Sequence, residues 1–193
     1  MTVPGLDRRG LAGWNESGYS GLAVPSGFQK LGSSVLTAAA TTIPSISFPE
    51  RDLLYILIRI TGYSNTDRPM MRFNGASTGY WDRWVTAAAA GATLANVQNV
   101  SGTGCRIAAN DVTTSRVVSA FIANRNGASK IVMMEDHTGT GAAATAGVAH
   151  VAGAGEWVNN AQINSMLVVT VAGRDLSIGS SFTVFGRNTY PGA

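Results

Sequence analysis

Apolar and polar positions in this chain alternate every second residue far more often than every third or fourth. Residues 53–60 (LLYILIRI) are apolar on both faces until Arg59, the pattern of a central strand that is covered on each side. Over 80–86, Tyr80, Asp82 and Trp84 alternate with Trp81, Arg83 and Val85, so an aromatic falls on each face. Further strands are expected at 31–42, 70–73, 105–108, 116–123, 130–135, 145–151, 163–171 and 181–185. Pro44 and Pro49 bracket Ile46 and Phe48 as a break, and Asn74-Gly75 marks a turn that needs positive φ. Residues 87–104, rich in Ala, Gly and Asn, read as a long contact loop. No window sustains a capped helical period; only 142–149 offers a helical turn. Strands of this number and spacing predict an all-β, jelly-roll-like antiparallel sandwich.

The first 27 residues follow no period and carry Gly or Pro every few positions. Within them Leu11, Trp14, Tyr19 and Leu22 stand as apolar anchors beside Arg8 and Arg9. Loose tails normally lack such aromatics, so the segment is expected to be an extended arm that orders on a partner surface, with folding back over its own sandwich as the alternative. The expected organisation is an arm over 1–27 and a sandwich over 28–193.

Composition sharpens this picture. Charged residues are 13% of the chain, about half the usual share for soluble domains. Basic residues are twelve Arg against two Lys (Lys30 and Lys130), scattered along the chain with a net charge of +3. Scatter of this kind gives no nucleic-acid patch, whereas Arg-rich, Lys-poor usage suits buried ion pairs and subunit contacts. No apolar run is long enough for a membrane span and the N-terminus has no signal-peptide core, so synthesis in a cytoplasm is expected. Cys105 is the single cysteine and cannot make an intrachain disulfide.

Candidate chemistry is sparse. With only His137 and His150 as histidines there is no zinc set, and neither a metal nor another cofactor is expected. Glu135, Asp136 and His137 are the one place where acids and imidazole adjoin. Consecutive strand residues point to opposite faces, so a solvated strand end is the expected role. His150 and Cys105 read as core or interface residues. The glycines at 139 and 141 and the run 152–156 (AGAGE) lack a following Lys-Ser/Thr and a strand-to-helix context, so they are read as turns rather than phosphate loops. No G-x-S-x-G elbow occurs. No catalytic residue is assigned; a glycan-cleaving site would require Glu135 and Glu156 to face each other across a cleft. Trp81, Trp84 and Trp157 are either a stacking platform for sugars or, as favoured, packing and interface residues.

Two stretches resemble a known pattern. LLYILIRITG (53–62) followed by MRFNGASTGYW (71–81) resembles the pair of strands with L-R-F-N-G-D-x-x-x-x-Y found in small virion proteins of tailed bacteriophages. INSMLVVTVAGRDLSIGSSFTVFGRN (163–188) is similar to the closing hairpin of that family, which ends in G-S-x-F-x-L-Y-G. Ala76 stands where the family often has Asp, and Val184-Phe185-Gly186 replaces Leu-Tyr-Gly. The resemblance covers about residues 28–188. It implies a jelly-roll structural subunit without enzymatic activity, a homo-oligomer and expectedly a trimer, whose partners are major capsid or tail proteins. The leading expectation is a capsid decoration (cement) subunit in the virion, its arm reaching across neighbouring major capsid proteins. The alternative is a tail or baseplate module that binds host glycan through 87–104, 137–156 and the tryptophans. Neither nucleic acid nor membrane is an expected partner.

Overall fold

The computed structural model describes residues 24–62, 69–86, 95–107, 115–136, 151–170 and 174–189. Among them there is no helix. The strands are β1 (Gln29–Val35), β2 (Thr42–Ser47), β3 (Leu53–Ile60), β4 (Met70–Phe73), β5 (Tyr80–Thr86), β6 (Ala95–Gly102), β7 (Cys105–Arg106), β8 (Arg116–Ala123), β9 (Lys130–Asp136), β10 (Val151–Trp157), β11 (Ser165–Val169) and β12 (Ser181–Arg187). They form an eight-stranded sheet in the order β1-β12-β3-β8-β9-β10-β5-β6 and a four-stranded sheet in the order β2-β11-β4-β7. Every strand pairing is antiparallel. The result is a sandwich of unequal layers, with β1 and β2 carrying the chain from the large sheet to the small one.

The core lies between the layers. From the large sheet, Leu54, Ile56, Ile58 and Ile60 of β3 point inward with Val118, Ile122, Val132, Tyr80, Trp84, Trp157 and Phe182. Ile43, Met71, Phe73, Met166 and Val168 close the space from the small sheet. Burying each large side chain contributes about 1.5–3 kcal/mol, so this cluster is the main source of stability. Tyr55 and Leu57 of the same β3 are also buried, in a second cluster on the opposite face. The two-sided apolarity of 53–60 therefore has the structural meaning expected of it.

The RFNG turn is built by side chains. Asn74 (φ 51°) and Gly75 (φ 70°) occupy the left-handed region, which Gly and Asn adopt most readily. Asn74 Nδ2 donates to the Gln162 carbonyl at 2.8 Å, while its Oδ1 accepts from the amides of Asn164 (3.0 Å) and Ser165 (3.1 Å). Tyr80 Oη accepts from the Phe73 amide at 2.7 Å, tying β5 to the end of β4. The motif that carries the resemblance is thus a corner of the scaffold.

Several sequence expectations are corrected. Residues 31–42 are not one strand: β1 stops at Val35, and Leu36 leaves its pairing to bond Ser180 and Gly179 on the way to the other sheet. Pro44 does not break the chain but lies inside β2. That strand is an edge, and its register with β11 shifts between Met166 and Val168, so Pro44 sits at a bulge where a missing donor is tolerated. The loop expected at 87–104 contains β6, whose polar, small-residue sequence ANVQNVSG gives little apolar signal because it is an edge strand. β7 is only two residues long.

The glycine run 152–156 is strand, not turn. β10 pairs along its whole length with β9 and β5. Its glycines are there because neighbours fill the space. A Cβ on Gly153 would lie 2.6 Å from Trp84 Cδ2, and one on Gly155 would lie 2.4 Å from Cys105 Sγ. Of the strand expected at 145–151, Val151 is the first residue of β10, and 145–150 lies outside the described residues, as does the helical turn at 142–149.

Candidate functional site

The outer face of the large sheet is the surface with the most unusual make-up. Antiparallel register lines up Phe185, Tyr55, Phe121, Met133, Ala154 and Arg83 across β12, β3, β8, β9, β10 and β5. A parallel row holds Leu53, Ala123, Ile131, Glu156 and Trp81, and another Leu57, Ser119, Glu135 and Ala152. Such a face normally turns polar residues to water.

One half of the face is covered by the chain itself. Val24 and Phe28, together with Val117, Phe121 and Phe185, pack against Tyr55 and Leu57. The Phe28 ring meets Tyr55 and Phe121 edge-on, with centroids 6.3 and 5.9 Å away, and the Arg187 guanidinium sits 5.3 Å above it. Val24 falls within the segment assigned from sequence to the arm, yet it is already seated on the sandwich. Over β9, β10 and β5 no described residue covers the sheet. Met133 (57%), Ile131 (49%) and Trp81 (41%) are exposed there, and Val158, just past β10, is exposed as well.

A depression of about 490 Å3 marks the border between the halves, lined by Tyr55, Ser119, Phe121, Met133, Glu135 and Ala152 among others. Burial raises the Tyr55 phenol above its usual pKa; a hydrogen bond with Ser119 lowers it and the Glu135 charge raises it further. The surface offers apolar contact with a few polar groups. No group of three metal-ligating side chains occurs among the described residues.

Charged groups turned inward are paired. Arg106 Nε donates to Asp82 Oδ1 at 2.6 Å, and its amide donates to Asp82 Oδ2 at 3.2 Å. Arg116 donates to Asp136 in a second buried pair. Lys130 Nζ is buried and donates to the carbonyls of Arg125 (2.7 Å), Asn159 (3.1 Å) and Ala128. These groups hold the fold together and face away from the exposed patch.

The sequence-derived candidates separate accordingly. Trp84 and Trp157 are core residues, Trp157 stacking on Tyr80 with centroids 6.1 Å apart. Only Trp81 turns its ring outward, because it occupies the other phase of the β5 alternation. The three tryptophans therefore do not form a glycan platform. Glu135 and Asp136 point to opposite faces, as alternation requires, and Asp136 is spent on Arg116; His137 and His150 lie outside the described residues. Glu135 and Glu156 share the outer face but are offset by four residues along β9 and β10, about 13 Å. Cys105 is buried against Met134 Sδ at 3.8 Å, and desolvation pushes its thiol pKa up, which leaves it unreactive. The arm candidates Arg8, Arg9, Leu11, Trp14, Tyr19 and Leu22 lie outside the described residues.

Tyr55, Phe121, Ile131, Met133 and Phe185 were not singled out from sequence. The signal was present in the second apolar phase of LLYILIRI and KIVMMED, where a half-exposed strand would carry polar residues.

No protein-family model matches the chain, and no curated protein matches its sequence.

Proposed function

We propose that this chain is a virion structural protein of a tailed bacteriophage, a jelly-roll-like decoration (cement) subunit that binds the assembled capsid and stabilises it. The observation that carries the reading is the uncovered half of the outer sheet face, where Trp81, Ile131 and Met133 stand exposed while several charged side chains lie buried in pairs. That inversion belongs to a subunit whose surface is finished by a neighbour. Trp is enriched among residues that dominate binding energy, and a flat sheet face suits an interface of about 800 Å2 per partner. The resemblance of 53–81 and 163–188 to small virion proteins supplies the kind of assembly.

The mechanism is mechanical. A homo-oligomer, a trimer in this reading, adds buried area across junctions between major capsid proteins. Because it binds the assembled state and not the separated one, its stabilisation follows mass action of the free subunit. The test is to add purified protein to capsids that lack it and to heat them. A rise in disruption temperature that saturates with protein concentration supports the reading, and an unchanged temperature refutes it.

A further inference from the structure

We propose that the depression on the outer face of the large sheet is a binding site for an arginine side chain carried by the partner surface. This rests on the reading of that face as an interface and names the group that anchors there.

The depression lies over β3, β8, β9 and β10, and its lining combines two aromatic rings, Tyr55 and Phe121, with the Met133 thioether and the Glu135 carboxylate. Met133 and Glu135 stand two residues apart on the same exposed face of β9, about 6.8 Å along the strand. Register places Met133 opposite Phe121, and Glu135 between the small residues Ser119 and Ala152. One side chain with an apolar stem and a charged end therefore spans both.

This combination selects its occupant. A partner that closes over the depression strips water from Glu135, and a buried carboxylate is costly unless a cation bonded to it compensates. An apolar anchor lacks that cation. A lysine supplies it as a strongly hydrated point charge, whereas a guanidinium is planar, less strongly hydrated, stacks on rings and pairs with both oxygens of a carboxylate. A carboxylate offers about four acceptor positions, so Glu135 can take this pair beside its contacts within the chain. The stem of the same side chain lies on Met133 and Phe121, as arginine stems do on apolar surface.

The chain itself makes half of this contact on the same face. The Arg187 guanidinium lies 5.3 Å from the centre of the Phe28 ring, which packs edge-on against Tyr55 and Phe121. The depression continues that aromatic setting toward β9 and adds a carboxylate.

The experiment titrates N-acetyl-arginine methylamide into the full chain with isotope-labelled methionine methyl groups, followed by NMR, the Met133 resonance being identified by Met133→Leu. The expected result is a saturable shift of the Met133 methyl in the millimolar range, with the buried Met71 and Met166 unmoved. Glu135→Gln is expected to weaken binding by about tenfold. Glu156→Gln, on the same face but outside the depression, should leave it unchanged. Glu135 is exposed, and unmoved Met71 and Met166 resonances report that its variant is folded. The citrulline derivative, which keeps the shape without the charge, is expected not to saturate. Equal binding of the citrulline, leucine or lysine derivative overturns the proposal, as does equal weakening by Glu135→Gln and Glu156→Gln. A Met133 methyl that does not respond to the arginine probe also overturns it. No capsid enters this titration, so its failure is distinguishable from failure of the proposed function.

Discussion

A Cβ placed on Gly153 would lie 2.6 Å from Cδ2 of Trp84, so the indole of β5 occupies the space that a side chain on β10 would need. Trp84 is fully buried and cannot swing away. Gly153→Ala is therefore expected to destabilise the fold by about 1–3 kcal/mol through overpacking. A urea midpoint within error of wild type would show that the indole yields.

Tyr80 ties two strands through its hydroxyl, which accepts from the Phe73 amide at 2.7 Å. Tyr80→Phe keeps the ring packing on Phe73 and Trp157 but leaves a buried amide without its partner. A loss of about 1–3 kcal/mol in chemical denaturation is expected. No loss would mean that the corner is held by Asn74 alone.

Arg116 and Asp136 are each buried, and each compensates the other's charge. Removing one partner, as in Asp136→Leu, is expected to cost about 3–5 kcal/mol. Replacing both, as in Arg116→Met with Asp136→Leu, should recover most of that loss. A double-mutant cycle in urea measures the difference, and simple additivity would contradict the pairing.

Alkaline pH provides a separate check. Burial pushes Tyr80 up from 10.0 to about 12 and raises Tyr55 as well, while Cys105 is raised from 9.0, again by burial. The folded state holds these protons more tightly than the unfolded chain. Their contribution is complete below pH 9.0 and is lost as pH climbs from there through about 12. Lys130, lowered from 10.5 by burial, works in the opposite sense and offsets part of the loss. The denaturation midpoint should stay flat near neutral pH and fall above about pH 10, less steeply in Tyr80→Phe. A midpoint that rises over that range would contradict the assignment.

The strands with strong alternation were legible in the sequence. LLYILIRI, MMRF, YWDRWVT and KIVMMED fall where the pattern put them, because burial on at least one face leaves a period of two. The failures have physical causes. β6 is an edge strand and needs no apolar face, while β10 carries glycines only because Trp84 and Cys105 occupy their side-chain space. Pro44 signals a break unless its edge position is known. The roles of the tryptophans were half legible: alternation separated Trp81 from Trp84, but which face was inside depended on pairing across the whole sheet. The same holds for Met133, whose exposure is decided by where β9 sits between β8 and β10.

Co-sedimentation with capsids lacking the protein tests the central claim most directly. Full-length protein is expected to pellet with such capsids at a saturating, stoichiometric level, and the surface substitutions Trp81→Ser with Met133→Asp should reduce binding by about tenfold or more while leaving the urea midpoint unchanged. Full-length protein that stays in the supernatant at every concentration, or a doubly substituted protein that binds as well as wild type, would contradict the account.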